Sequence, residues 1–378
     1  VTAANPVRVM VVDDSAVIRG LVCRWLEEDA EISVVARAQN GEVALRMAQQ
    51  HQPDIVILDI EMPVMDGLTA LPKLLALDGD MKVLMASTLT QRNAEVSLQA
   101  LNAGAADYVP KPSATTEMTG SVDFRRELVS KVKALAQARK LRPRGAGATT
   151  AKATAARAPV SVARRPEGGL YGQSPISLRR HNRMLAPKVI GIGSSTGGPQ
   201  ALMSVMQQLA GKVRQPIMVT QHMPATFTRI LAEHLRRVYG PACAEGRDGD
   251  VLEPGHLYLA PGDYHMTVEM RGGKPTIALN QNPPENFCRP AVDPMFRSLA
   301  ETFSGAALGV VLTGMGHDGL NGGQALVGAG GTILAQDEAT SVVWGMPGAV
   351  ATGGLCSAVL PLKDIGPAIV RVAGGGAL

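Results

Sequence analysis

Gly193-Ser194-Ser195-Thr196-Gly197 fits G-x-S-x-G, between an apolar run ending in Ile192 and a helical pattern from Ala201 to Met206. A hydroxyl on a tight strand-to-helix turn stands clear of the sheet edge, where it can act as a nucleophile. Backbone N–H groups at the start of the helix can face a developing oxyanion. The same turn could instead cradle a phosphate. Gly191-x-Gly193 opens like a dinucleotide fingerprint, but Thr196 stands where its third glycine belongs, and no Lys follows to make a P-loop. The choice rests on partners elsewhere in the chain.

Two candidate partners follow other apolar runs. His222 follows Ile217–Thr220, and Asp318 follows Ala307–Thr313. A parallel sheet would bring all three residues to one rim. His222 could then take the Ser195 proton near neutral pH, and Asp318 could fix the imidazole. Taken singly, His222 could be a structural histidine and Asp318 a turn or capping acid. His256 precedes its strand and His265 follows a turn, so neither competes well. The order Ser, His, Asp differs from that of α/β-hydrolases.

A second set of polar residues lies earlier. Asp13 and Asp14 follow Val7–Val12, Asp59 follows Ile55–Leu58, Ser87 follows Met81–Ala86, and Lys111 follows Tyr108-Val109. Strands alternating with helices predict a doubly wound parallel sheet, with ligands outside the carboxyl ends of its strands. Converging carboxylates repel, so the cluster suits a hard divalent cation such as Mg²⁺. A carboxylate nucleophile, a metal and the Lys111 ammonium together suit an acyl phosphate on Asp59. A generic acidic cation site, or ordinary loop acids, would account for single members of the set.

VVDDS, ILDIEMPVMDG, MAST and YVPKP make residues 7–138 resemble a two-component receiver domain. The resemblance implies phosphorylation of Asp59 by a histidine kinase. It makes Asp13, Asp14, Asp59 and the Glu61 backbone carbonyl the Mg²⁺ ligands, with Ser87 and Tyr108 at the switch positions beside Lys111. IGSSTGGP, TQHMP, YLAPGDYHM, RPAVDPMF and VLTGMGHDG make residues 188–374 resemble the catalytic domain of the chemotaxis protein-glutamate methylesterases. That resemblance implies Ser195 as nucleophile, His222 as base and Asp318 as orienting acid. It puts the backbone N–H groups of Thr196 and Met315 in the oxyanion hole and leaves His317 a spectator. It further implies methyl-ester hydrolysis on chemoreceptor glutamates, glutamine deamidation by the same acyl transfer, and no cofactor for that step.

The expected fold is therefore two doubly wound α/β domains, flavodoxin-like then Rossmann-like. A tether over residues 139–187 joins them. From Arg139 to Lys188 the chain holds twelve Lys/Arg and one acid, a local +11, so the net +4 leaves 4 − 11 = −7 elsewhere. The basic character belongs to the tether and is weak support for nucleic-acid binding by a folded domain. Tether contact with anionic lipid is the alternative to passive linkage. No apolar window reaches membrane-spanning length. No secretory leader is expected, and four cysteines without C-x-x-C spacing suit the cytosol. A switched binding adaptor with a relic site is the non-enzymatic alternative. A DNA-binding regulator lacks a helix-turn-helix candidate.

Overall fold

The computed structural model describes residues 6–88, 90–111, 122–140, 176–180 and 186–378. Most of the expected tether lies outside them. The first sheet is parallel, in the order β2-β1-β3-β4-β5, formed by Val7–Val12 (β1), Ile32–Ala38 (β2), Ile55–Asp59 (β3), Lys82–Thr88 (β4) and Asp107–Lys111 (β5). Helices Ala16–Glu27 (α1), Gly41–His51 (α2), Gly67–Leu77 (α3), Gln91–Asn102 (α4) and Val122–Lys140 (α5) accompany it. Each of the first four has its N-terminus capped by a side chain, from Ser15, Asn40, Asp66 and Thr90. These caps satisfy N–H groups that a helix start leaves unpaired.

The second sheet has seven parallel strands in the order β14-β13-β12-β6-β7-β9-β8. Its strands are Val189–Ser194 (β6), Ile217–Gln221 (β7), Cys243–Glu245 (β8), Leu257–Leu259 (β9), Ala307–Val311 (β12), Thr332–Gln336 (β13) and Cys356–Leu360 (β14). His265–Arg271 (β10) and Lys274–Asn280 (β11) form a separate antiparallel hairpin. The accompanying helices are Gly198–Leu209 (α6), Ala225–Tyr239 (α7), Val292–Phe303 (α8), Leu320–Gly328 (α9), Met346–Thr352 (α10) and Leu362–Ala373 (α11).

Strands β12, β6 and β7 are adjacent and in register, with Val311 beside Gly193 and Gln221 beside Ser194. Their carboxyl ends therefore open onto one rim. Every residue of these three strands is buried, which suits their near-continuous apolar sequences. Gly191 and Gly309 are needed for packing on α8. A Cβ on Gly191 would lie 2.6 Å from Leu299 Cδ1, and one on Gly309 would lie 2.9 Å from Leu326 Cδ2 of α9.

Two boundaries differ from expectation. Helix α5 runs through Lys140, past the expected end at 138, because Arg139 is held by Asp54 and Asp78 of the first domain. Residues 176–180 are not wholly free of the second domain. Ile176 packs on its core, and Arg179 N–H donates to the Cys356 carbonyl at 2.8 Å.

The start of α3 leaves no room behind Asp59. A Cβ on Gly67 would lie 2.0 Å from the Asp59 carbonyl oxygen, a backbone atom that cannot yield. Gly67→Ala is expected to destabilise the first domain by about 3 kcal/mol. The check is the thermal transition of the variant; an unchanged midpoint would refute the packing argument.

Candidate functional site

The turn after β6 selects between two serines. Ser194 is fully buried, and its hydroxyl donates to Gln221 Oε1 at 2.7 Å. Ser195 is half-buried, and its hydroxyl bonds to no described residue. Its backbone is pinned on three sides. Ser195 N–H donates to Thr313 O at 3.0 Å, while its carbonyl accepts from Gly198 N–H at 2.7 Å and Gln221 Nε2 at 3.0 Å. Gly197, at φ +76°, lets the chain turn into α6, and a Cβ on Gly198 would collide with Gln221 Oε1 at 1.9 Å. The backbone N–H groups of Thr196 and Met315 donate to no described residue. Gly314 packs against Ser195, so both N–H groups flank the elbow.

His222 follows β7, and its N–H donates to Ser194 O at 3.1 Å. Its Nε2 lies 2.7 Å from Asp318 Oδ2, and its Nδ1 lies 3.3 Å from Cys288 Sγ. Among the described residues no hydrogen bond joins Ser195 Oγ to His222. The structure thus pairs the imidazole and carboxylate and puts the serine on the same rim, but a thiol stands at the nitrogen expected to meet the hydroxyl.

Asp318 is almost fully buried. Oδ2 accepts Val292 N–H at 2.6 Å, and Oδ1 accepts Asp293 N–H, Gly319 N–H and Asn286 Nδ2 at 3.0 Å each. Val292 and Asp293 open α8, so the carboxylate also faces the positive end of that helix. Burial alone would push its pKa up. The His222 hydrogen bond and charge, with the Val292 and Asp293 amides, outweigh burial and hold it below the ordinary value. Asp293 lies behind it, accepting Gly319 and Gly322 N–H groups at 3.0 and 2.6 Å and Asn286 Nδ2 at 3.1 Å. Burial and then the neighbouring Asp318 charge raise the Asp293 carboxyl. Burial also works against charge on His222, but Cys288 and Asp318 outweigh it and push the imidazole up to about 10.

His265, in contrast, is buried between Pro283 O and Ala291 N–H, a structural role. His256 and His317 sit apart from this network. Cys288, Asn286, Asp293 and Gln221 were not singled out from the sequence. Asp293 lies in RPAVDPMF and Gln221 in TQHMP, so proximity to a recognisable motif was the available signal.

In the first domain, ligand atoms of Asp13, Asp14 and Asp59 lie within 4.8 Å of one another. Lys111 Nζ bridges Asp13 Oδ2 at 2.6 Å and Asp59 Oδ1 at 2.7 Å. Burial raises the Asp59 carboxyl to about 6, against the pull of Lys111. The donors are all hard oxygens, which fits Mg²⁺. Glu61 is exposed just beyond the strand. The Ser87 hydroxyl donates to Thr88 O at the end of β4 at 3.2 Å and to Asn93 O in the first turn of α4 at 3.4 Å. Tyr108 is buried and stacks on Phe227 of the second domain, with ring centroids 4.3 Å apart.

That stack belongs to a joint between the domains. Thr196 Oγ1 donates to Asp107 Oδ2 at 2.7 Å, and Gln200 Nε2 donates to Leu101 O and Ala105 O at 3.0 and 2.9 Å. Buried Lys131 holds Asp107 at 3.1 Å and Glu127 at 2.9 Å, and donates to Tyr108 O at 2.6 Å. Val343 sits in the apolar core of the first domain, with Met315 and Val342 packed against it. The first domain therefore rests on the elbow itself.

The model of the CheB methylesterase family matches residues 190–369, and that of the response regulator receiver domain matches residues 9–123. A protein-glutamate methylesterase/protein-glutamine glutaminase 1 of Paramagnetospirillum magneticum is 56% identical, covering 98% of this chain and 97% of that protein. The chain belongs to the CheB methylesterase family. A relative from Rhodospirillum centenum, named protein-glutamate methylesterase/protein-glutamine glutaminase of group 2 operon, is 55% identical over 98% of this chain and 95% of its own. The crystal structure of the Thermotoga maritima CheB methylesterase catalytic domain is 38% identical and covers 50% of this chain and 100% of that one, with a TM-score of 0.48. As in the family, a receiver domain precedes the methylesterase domain in this chain. No helix among the described residues is long and apolar enough to cross a membrane.

The raised pKa of His222 has a consequence for stability. A group whose pKa rises on folding stabilises fully below its unfolded value and loses that contribution as pH climbs through the folded value. The window here runs from 6.5 to about 10. Wild-type melting temperature is expected to fall across that window more than in His222→Gln. Parallel pH profiles for the two would contradict the assignment.

Proposed function

We propose that the chain hydrolyses glutamate methyl esters on chemoreceptors and deamidates receptor glutamines, under control of its receiver domain. The observation that carries the chemistry is the 2.7 Å pairing of buried Asp318 with His222 on the rim that bears the Ser195 turn. Asp318 holds Nε2, so Nδ1 is the nitrogen left to take the Ser195 proton. Ser195 Oγ attacks the ester or amide carbonyl. The undonated N–H groups of Thr196 and Met315 flank the elbow, where they can stabilise the tetrahedral oxyanion. The protonated His222 then donates to the departing methanol or ammonia. Water, activated by the same imidazole, hydrolyses the acyl-enzyme and leaves glutamate.

Asp59 is the phosphoacceptor in this reading, served by a histidine kinase. Asp13, Asp14, Asp59 and the Glu61 carbonyl would hold Mg²⁺, which screens the incoming phosphoryl charge. Lys111, now bridging Asp13 and Asp59, would pair with the phosphoryl group. Ser87 would turn from Thr88 O and Asn93 O towards it, and Tyr108 would leave its stack on Phe227. The substrate side chains, like the kinase, place the reaction in the cytoplasm, without membrane insertion or nucleic acid.

The Thr196–Asp107 bond and the Tyr108–Phe227 stack support closure of the elbow by the unphosphorylated receiver. Loss of a buried hydrogen bond of this kind costs about 1–3 kcal/mol, which would open the joint roughly 5- to 150-fold.

Methanol release from methylated receptor membranes tests the chemistry. Ser195→Ala should abolish release, and Asp318→Asn should reduce it by about 10³–10⁴. Full activity in the serine variant would leave only a switched adaptor. Separately, Asp107→Ala, or removal of residues 1–140, should raise basal release several-fold without a phosphodonor. A truncated enzyme no faster than the intact chain would sink the closure model.

A further inference from the structure

The residue that faces Nδ1 of His222 is Cys288, and the chain goes to some length to place it there. Glu285 and Cys288 close a tight turn, with Glu285 N–H donating to Cys288 O at 3.1 Å and Cys288 N–H donating to Glu285 O at 2.8 Å. The two residues between them, Asn286 and Phe287, both have positive φ, at 52° and 63°. Asn tolerates this region, but for Phe it is costly. The turn is braced on three sides. Asn286 Nδ2 donates to both Asp318 Oδ1 and Asp293 Oδ2, Glu285 pairs with Arg297 at 2.5 Å, and the Arg126 guanidinium of α5 lies 4.4 Å above the Phe287 ring. Of the four cysteines, Cys288 alone is not buried.

We propose that Cys288 is a positioning residue for His222, whose thiol occupies Nδ1 in competition with the Ser195 hydroxyl. The inference rests on His222 being the base of the proposed hydrolysis. With Nε2 committed to Asp318, Nδ1 can serve one partner at a time. The 3.3 Å contact pairs the sulfur with Nδ1 whichever of the two carries the shared proton. The proton merely moves between sulfur and nitrogen, and no bond to carbon changes. In either form the ring is turned to Cys288, and turnover requires Ser195 to displace the sulfur.

The titratable groups that bear on His222 are Asp318, from the loop after β12, and Cys288, from the turn before α8. Asp293 stands behind Asp318. Burial opposes the charge on the ring, and Cys288 is the largest influence in favour of it. Removing the thiol should therefore let His222 lose its proton at lower pH.

The test uses the full-length chain as wild type, Cys288→Ala and Cys288→Ser. Two readouts are taken: NMR titration of the His222 imidazole, and the pH profile of kcat/KM for methanol release. In Cys288→Ala the His222 midpoint and the acid limb of kcat/KM should both move down by at least about one pH unit, raising kcat/KM at pH 7 about tenfold. Cys288→Ser keeps a hydrogen-bonding hydroxyl at Nδ1 in place of the sulfur, so its midpoint should fall between the other two. An unmoved His222 midpoint in the alanine variant, or a uniform loss of activity at every pH, would overturn the proposal. If the alanine variant fails to fold, the serine variant is read alone, with an unmoved midpoint again overturning it. Absence of methanol release by wild type, with the NMR shift intact, would instead remove the hydrolase reading and leave the sulfur–imidazole contact standing.

Discussion

Everything at the second rim depends on burying one carboxylate without leaving it unpaid for in hydrogen bonds. Asp318 is about 1% exposed, and an isolated charge so placed would be prohibitively costly. Three backbone N–H groups, the Asn286 amide and the His222 ring together surround its two oxygens. Two of those N–H groups belong to the open end of α8, where the helix has no internal acceptor for them. The same helix packs on Gly191 and Gly309 of the central strands, so the carboxylate, the strand ends and the elbow form one rigid unit.

That rigidity contrasts with the joint to the receiver. The joint combines directed contacts (one hydroxyl–carboxylate bond, two amide–carbonyl bonds, one stacked ring pair and the Arg126 guanidinium over Phe287) with apolar packing of Val343 in the first domain's core. Lys131 gathers Asp107, Glu127 and the Tyr108 carbonyl about one ammonium, which ties the strand that bears Tyr108 to the carboxylate that grips Thr196. Tyr108 and Asp107 are neighbours on β5, so the strand that ends at Lys111 also carries the contacts to the elbow.

The two rims solve charge crowding in opposite ways. In the receiver, Asp13 and Asp59 share Lys111, and burial leaves Asp59 with a raised pKa. In the methylesterase domain, Asp293 and Asp318 share Asn286 and a set of amides, and the raised pKa falls on Asp293. A lysine can exchange its carboxylate partners for a phosphoryl group, which suits a switch. Fixed amides cannot, which suits a base-orienting acid.

Sequence alone determined the two parallel sheets, because each central strand is an apolar run that ends in a polar residue, and register then places those ends together. It determined Asp13, Asp59 and Lys111 as neighbours, and His222 with Asp318, by the same logic. The G-x-S-x-G spacing singles out Ser195 over Ser194, and burial of Ser194 against Gln221 separates the two physically. Only the tertiary structure decided what faces the second nitrogen of His222. Cys288 lies 66 residues along the chain from it, on a turn in which Phe287 holds a positive φ that its side chain disfavours. Such a contact depends on where α8 docks and on what braces the turn, and neither is written in local sequence.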